Sequence, residues 1–80
     1  METTEILKHV NVIFIDILDN KDIVLGRETT ANDVEDWDSL THIQLVVAIE
    51  KHFKLRFTSS EIREWKNVGQ MCDAIKNRIQ

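Results

Sequence analysis

The sequence predicts an all-α fold, a small four-helix bundle with three main helices, one short helix and a long loop after the first. Three observations carry this. The 80 residues include no proline and only two glycines, Gly26 and Gly69, a composition poor in the residues that turns between strands require. Apolar residues recur at three- and four-residue steps over several long segments. Helix-capping residues stand where those segments begin. A chain this short buries only about 60% of its unfolded surface, so the core must be lean and the elements simple.

The first helix is expected from about Thr4 to Leu18, where Ile6, Leu7, Val10, Ile13, Phe14, Ile17 and Leu18 fall on one stripe. Asp19-Asn20-Lys21-Asp22 stops it, and His9 is read as a solvated or boundary histidine. The stretch from Asn20 to Asp38 is long for a connection without structure. Ile23, Val24, Leu25, Val34 and Trp37 give it apolar anchors, and Gly26 permits a turn, so it is expected to pack over the bundle. Asp33, Glu35, Asp36 and Asp38 form an acidic lip. They do not match a calcium-binding loop, which needs glycine at its sixth position and glutamate at its twelfth.

Around Asp38 and Ser39 the character changes. Both are good N-cap residues, because a side-chain oxygen can accept from the free amides of a first helical turn. A helix therefore starts at or beside Ser39, and the hydroxyl lies at a helix mouth where amides can also meet a phosphate. Within the segment from Ser39 to Phe53, His42, Leu45, Val46, Ile49 and Phe53 share the core face. Thr41, Gln44, Lys51 and His52 share the polar face. Leu40, Ile43 and Val47 form a second apolar stripe on the side of Ser39, with Glu50 beside it. A surface helix ordinarily has one such stripe, so this one is either a docking surface or the mark of a helix buried on two sides.

Lys54-Leu55-Arg56-Phe57 leaves this helix. Thr58 and Glu61 make a capping box for a short third helix through Trp65. Asn67 caps a fourth, with Val68, Met71, Cys72, Ile75 and Ile79 on one stripe and Lys76 and Arg78 suiting its negative end. Cys72 reads as a small core filler. As the lone cysteine it excludes an internal disulfide and fits a reducing cytosol. The acidic N-terminus, without a basic region ahead of its apolar run, does not resemble a secretory signal, and no stretch is apolar enough to span a bilayer.

The net charge of −4 conceals an asymmetry: residues 1–38 hold ten acids against three bases, and residues 39–80 hold four against seven. No basic stripe with interleaved aromatics marks a nucleic-acid surface.

Asp38-Ser39-Leu40, Ile43, Leu45-Val46, Ile49-Glu50 and Phe53 together resemble the phosphopantetheine-attachment motif of acyl carrier proteins. The resemblance extends over almost all of residues 1–80, through Asp33-Val34, Trp37, the short Thr58-led helix and Asn67-Val68. It implies a single acyl-carrier domain that is cytoplasmic, monomeric and not an enzyme. It implies that a phosphopantetheinyl transferase moves the 4'-phosphopantetheine arm of coenzyme A onto Ser39, with Asp38 helping to position the transferase. The arm's thiol would then hold an acyl group as a thioester. Leu40, Ile43, Val47 and Glu50 match the family's docking positions, where a loading ligase or acyltransferase and downstream pathway enzymes would bind; Asp36 and Trp37, outside the family's pattern, are expected to add to that contact.

The family's fatty-acid carriers are typically acidic along this helix, whereas Thr41, Gln44, Lys51, His52, Lys54 and Arg56 occupy the corresponding region here. Asp36-Trp37 also replaces the small residues common before Asp-Ser-Leu. A dedicated-pathway carrier is therefore expected, meeting its partners through the acidic lip and the apolar stripe. The alternatives are a peptidyl or aryl carrier for an amino-acid ligase pathway, or a helical interaction module with no prosthetic group. A hydrolase triad of Asp38, Ser39 and His42 is disfavoured, since His42 lies roughly 60° round the helix from Ser39.

Overall fold

The computed structural model describes residues 2–79. Its elements are α1 (Thr3–Leu18), a 3-10 turn (Ala31–Asp33), α2 (Ser39–Phe53), α3 (Ser59–Glu64) and α4 (Val68–Ile79). The long helix α1 packs against both α2 and α4. Ile6, Val10 and Phe14 of α1, Leu45 and Ile49 of α2, and Val68, Met71, Cys72 and Ile75 of α4 are all fully buried. These are the stripes that the apolar spacing marks out.

Helix ends follow local chemistry. Asp19 enters the left-handed region (φ 51°) and turns its N–H back to the Ile15 carbonyl, closing α1. Lys54 does the same for α2 (φ 58°), donating to the Glu50 carbonyl. Thr58 and Glu61 form the expected capping box at α3. Asn67 Oδ1 accepts from the Gln70 amide at the start of α4, 2.9 Å away. Burial pushes the Cys72 thiol up to about 11, and this outweighs the nearby charge of Arg27, so the thiol stays protonated and inert at neutral pH.

The loop of residues 20–38 is held down at several points. Asn11 of α1 donates from Nδ2 to the Ile23 carbonyl (3.2 Å) and accepts from the Leu25 amide (2.7 Å). Along this segment the side chains alternate, as in an extended chain: Ile23 and Leu25 are buried, while Val24 is 86% exposed. Val24 is thus not an anchor, contrary to expectation. The turn at Gly26 closes with the Thr29 amide donating to the Gly26 carbonyl, without a positive φ. Thr30 and Asp33 then form a capping box around the 3-10 turn.

The loop also caps α4. The amides of Val68 and Gly69 donate to the carbonyls of Thr29 (2.9 Å) and Arg27 (2.7 Å), and the Arg27 guanidinium pairs with Asp73. A Cβ on Gly69 would lie 2.8 Å from the Arg27 carbonyl oxygen, a backbone atom that cannot swing away. Gly69→Ala is therefore expected to push the loop off α4. The expected loss is about 2–3 kcal/mol, or about 10–20 °C in thermal midpoint by circular dichroism. Gly26→Ala, where the added atom meets only Thr29 Oγ1 at 3.7 Å, serves as the control and should leave the midpoint close to the parent's.

Candidate functional site

The loop ends at Asp38, which is the N-cap of α2; Ser39 is the first residue inside the helix. Asp38 Oδ1 accepts from the Thr41 amide (2.9 Å), and the Asp38 amide donates to Thr41 Oγ1 (2.8 Å). The Thr41 hydroxyl in turn donates to the Asp36 carbonyl, also at 2.8 Å. Donation from the Thr41 amide is the main cause holding the Asp38 carboxylate below its usual range, so it is ionised at neutral pH. Thr41 was not among the expected site residues, although the Asp-x-x-Thr spacing of a capping box signals it. Capping thus falls to Asp38 and Thr41, and Ser39 is left exposed, with no side-chain hydrogen bond among the described residues.

Beside Ser39 opens a cleft of 690 Å3 between α2, α3 and the start of α4. Trp37, His42, Ile43, Ile62, Trp65 and Met71 line it, and the exposed Arg63 and Lys66 stand on its rim. The Trp37 ring lies edge-on to Phe14, with centroids 4.9 Å apart and planes at 87°. Its indole N–H donates to His42 Nδ1 (3.1 Å), which keeps that nitrogen unprotonated. Burial lowers the pKa of His42 and so favours the neutral ring. His42 in turn meets Trp65 edge-on, and Trp65 meets Phe57 in the same way. A His42 committed to Trp37 does not serve Ser39 as a base, which removes the triad.

The residues expected to meet partners fall at three depths. Leu40, Ile43 and Val47 are 67%, 63% and 43% exposed, so the second stripe of α2 faces outward and is not buried on a second side. Glu50 is half-buried, and its Oε2 accepts from the Phe57 amide (2.9 Å), which ties the loop after α2 to the helix. Asp36 and Asp38 are exposed. Trp37, only 9% exposed, lies beneath this surface and reaches it through the residues it supports. The far end of the stripe is basic: Lys51, Lys54 and Arg56 surround Val47, Glu50 and Leu55 in a shallow hollow. Among the described residues, no helix is long and apolar enough to cross a membrane.

Comparison with known proteins points the same way as this geometry. Residues 13–75 match the family model described as a phosphopantetheine attachment site. An acyl carrier protein of Thermosynechococcus vestitus is 30% identical over 80 residues, covering 99% of this chain and 98% of its own. The solution structure of the holo acyl carrier protein of Geobacter metallireducens superposes with a TM-score of 0.87 at 41% identity, covering 91% of this chain and 84% of that one. The chain belongs to the phosphopantetheine-attachment family as an acyl carrier protein, a carrier and not a catalyst.

Proposed function

We propose that residues 1–80 act as one monomeric, cytoplasmic carrier domain whose 4'-phosphopantetheine is attached through Ser39 Oγ. The observation that carries this reading is the division of labour at the start of α2. Asp38 and Thr41 hold the helix end, which leaves the Ser39 hydroxyl exposed and, among the described residues, free of side-chain partners. The surroundings fit the group. The first-turn amides that Asp38 leaves free give the helix end positive character. Arg63 and Lys66 add positive charge across a largely apolar cleft that begins at Ser39. When attached, the arm supplies a terminal thiol that holds an acyl group as a thioester, and its tether raises the group's effective concentration at each partner. The test is intact mass after incubation with coenzyme A, magnesium and a broad-specificity phosphopantetheinyl transferase. A gain of one arm is expected. No gain, with the transferase active on a control carrier, would overturn the reading.

The outward stripe Leu40, Ile43 and Val47 supports docking of that transferase and of the loading and downstream enzymes, with Asp36 and Asp38 offering negative charge next to Ser39. At the other end Lys51, Lys54 and Arg56 reverse the sign. A partner built to meet an acidic helix would find like charge there, which supports a dedicated-pathway carrier over a fatty-acid synthase carrier. Lys51→Glu with Lys54→Glu is expected to raise loading by a fatty-acid acyltransferase by about tenfold in kcat/KM. An unchanged partner preference would count against the dedicated pathway while leaving the attachment at Ser39 intact.

A further inference from the structure

At the end of α2 opposite Ser39, His52 meets His9 of α1. His52 Nε2 and His9 Nδ1 are 3.0 Å apart, with ring centroids 5.0 Å apart and planes at 45°. Phe53 packs edge-on against both rings, at 5.9 Å from His9 and 4.9 Å from His52, and is itself partly buried against the core. The two rings are thus held together by a shared apolar wall. A single N–H···N bond between two rings at a wet surface adds little stability, and α1 and α2 are already joined through Val10, Phe14, Leu45 and Ile49.

The same separation suits two neighbouring donors on one metal ion. With metal–nitrogen bonds of about 2.0–2.1 Å, nitrogens 3.0 Å apart subtend about 95° at the metal. One ion can therefore reach both nitrogens, and imidazole donors favour Cu2+ over Ni2+ and Zn2+ in the general affinity order. We propose that His9 and His52 form a two-imidazole site for a divalent transition ion, Cu2+ foremost and Ni2+ next. Water completes the shell. The ion takes one lone pair from His52 Nε2 and one from His9 Nδ1, each ring keeping its N–H on the nitrogen turned away from the metal. Both rings swing so that their lone pairs meet off the line between them, a motion of soft terminal torsions that the exposed His52 permits. Among the described residues no cluster of three or more histidine, cysteine or acidic groups forms, so selectivity rests on these two nitrogens. The ion would clasp the first half of α1 to the end of α2, stabilising the fold as its concentration rises.

The test titrates the untagged full chain with Cu2+ and Ni2+ in a non-coordinating buffer at about pH 7.5, where ordinary histidines are neutral. Calorimetry is expected to show one equivalent bound, Cu2+ more tightly than Ni2+ and Ni2+ more tightly than Zn2+, with a higher thermal midpoint in the presence of metal. The Cu2+ electron paramagnetic resonance spectrum should carry splitting from two imidazole nitrogens. His9→Asn and His52→Asn should each weaken binding about tenfold or more and remove the metal-dependent rise. Parent-like affinity in both variants, or a one-nitrogen spectrum, would overturn the site. Should a variant fold poorly, line broadening in the parent decides: at trace Cu2+ it must centre on the ring signals of His9 and His52, and broadening elsewhere defeats the proposal.

Discussion

Ser39→Ala should take up no phosphopantetheine from coenzyme A while melting within about 3 °C of the parent. The two halves of this result have separate causes. Ser39 is exposed inside the first turn of α2, and alanine is a better helix former than serine, so the fold loses nothing that it used. The oxygen that would accept the arm is gone, so loading falls to zero. Had Ser39 been the cap, the same substitution would have frayed α2, and the melt would move with the mass spectrum. Asp38→Ala gives the converse. It removes the acceptor for the Thr41 amide and lowers the melting point, yet leaves the hydroxyl in place, so the arm is still accepted, more slowly. Intact mass and circular dichroism on the two variants separate these roles. An arm still found on Ser39→Ala would move the attachment to another hydroxyl and defeat the assignment.

Much of this arrangement could be read along the chain. The helices α1 and α4 announce themselves through long 3.6-residue stripes, and Thr58 with Glu61 marks the start of α3 by chemistry confined to one turn. The outward stripe of α2 was legible as a pattern but not as a surface. Periodicity says that Leu40, Ile43 and Val47 align, and only the absence of a packed neighbour says that they face outward.

The loop was harder to read for a physical reason. Three consecutive apolar residues such as Ile23-Val24-Leu25 look equally buried, but an extended backbone must turn the middle one out, here Val24. What pins them is Asn11, a polar residue on α1 whose bonds to Ile23 and Leu25 join positions 12 and 14 residues apart and leave no local signal. The Trp37 indole's donation to His42 and the Phe57 amide's donation to Glu50 span only five and seven residues, but they depend on how the chain turns into and out of α2, which periodicity does not show.

The burial of Trp37 leads to the other large effect. Trp37→Ala is expected to cost about 3–5 kcal/mol, a large share of the about 5–15 kcal/mol that a small domain has in total. The indole fills core volume beside Phe14, at the point where the loop turns into α2, so its removal leaves a cavity in the core. The expected melt is broad and shifted down by about 15–30 °C. Loading at Ser39 should suffer chiefly through KM, because the segment that carries Asp38 loses its footing while the hydroxyl remains. Trp37→Phe isolates the N–H: most of the packing survives, the bond to His42 Nδ1 is lost, and the cost falls to about 1 kcal/mol.

That variant also has a titration readout. His42 now sits below its ordinary pKa because of burial, so its neutral form belongs to the fold, and stability is lost as pH falls below about 6.5. Without the indole donor the ring protonates more readily, so its pKa should rise in an NMR titration. A Trp37→Ala chain that melts like the parent would show that the indole is not core, and would return Trp37 to the surface where partners could touch it directly.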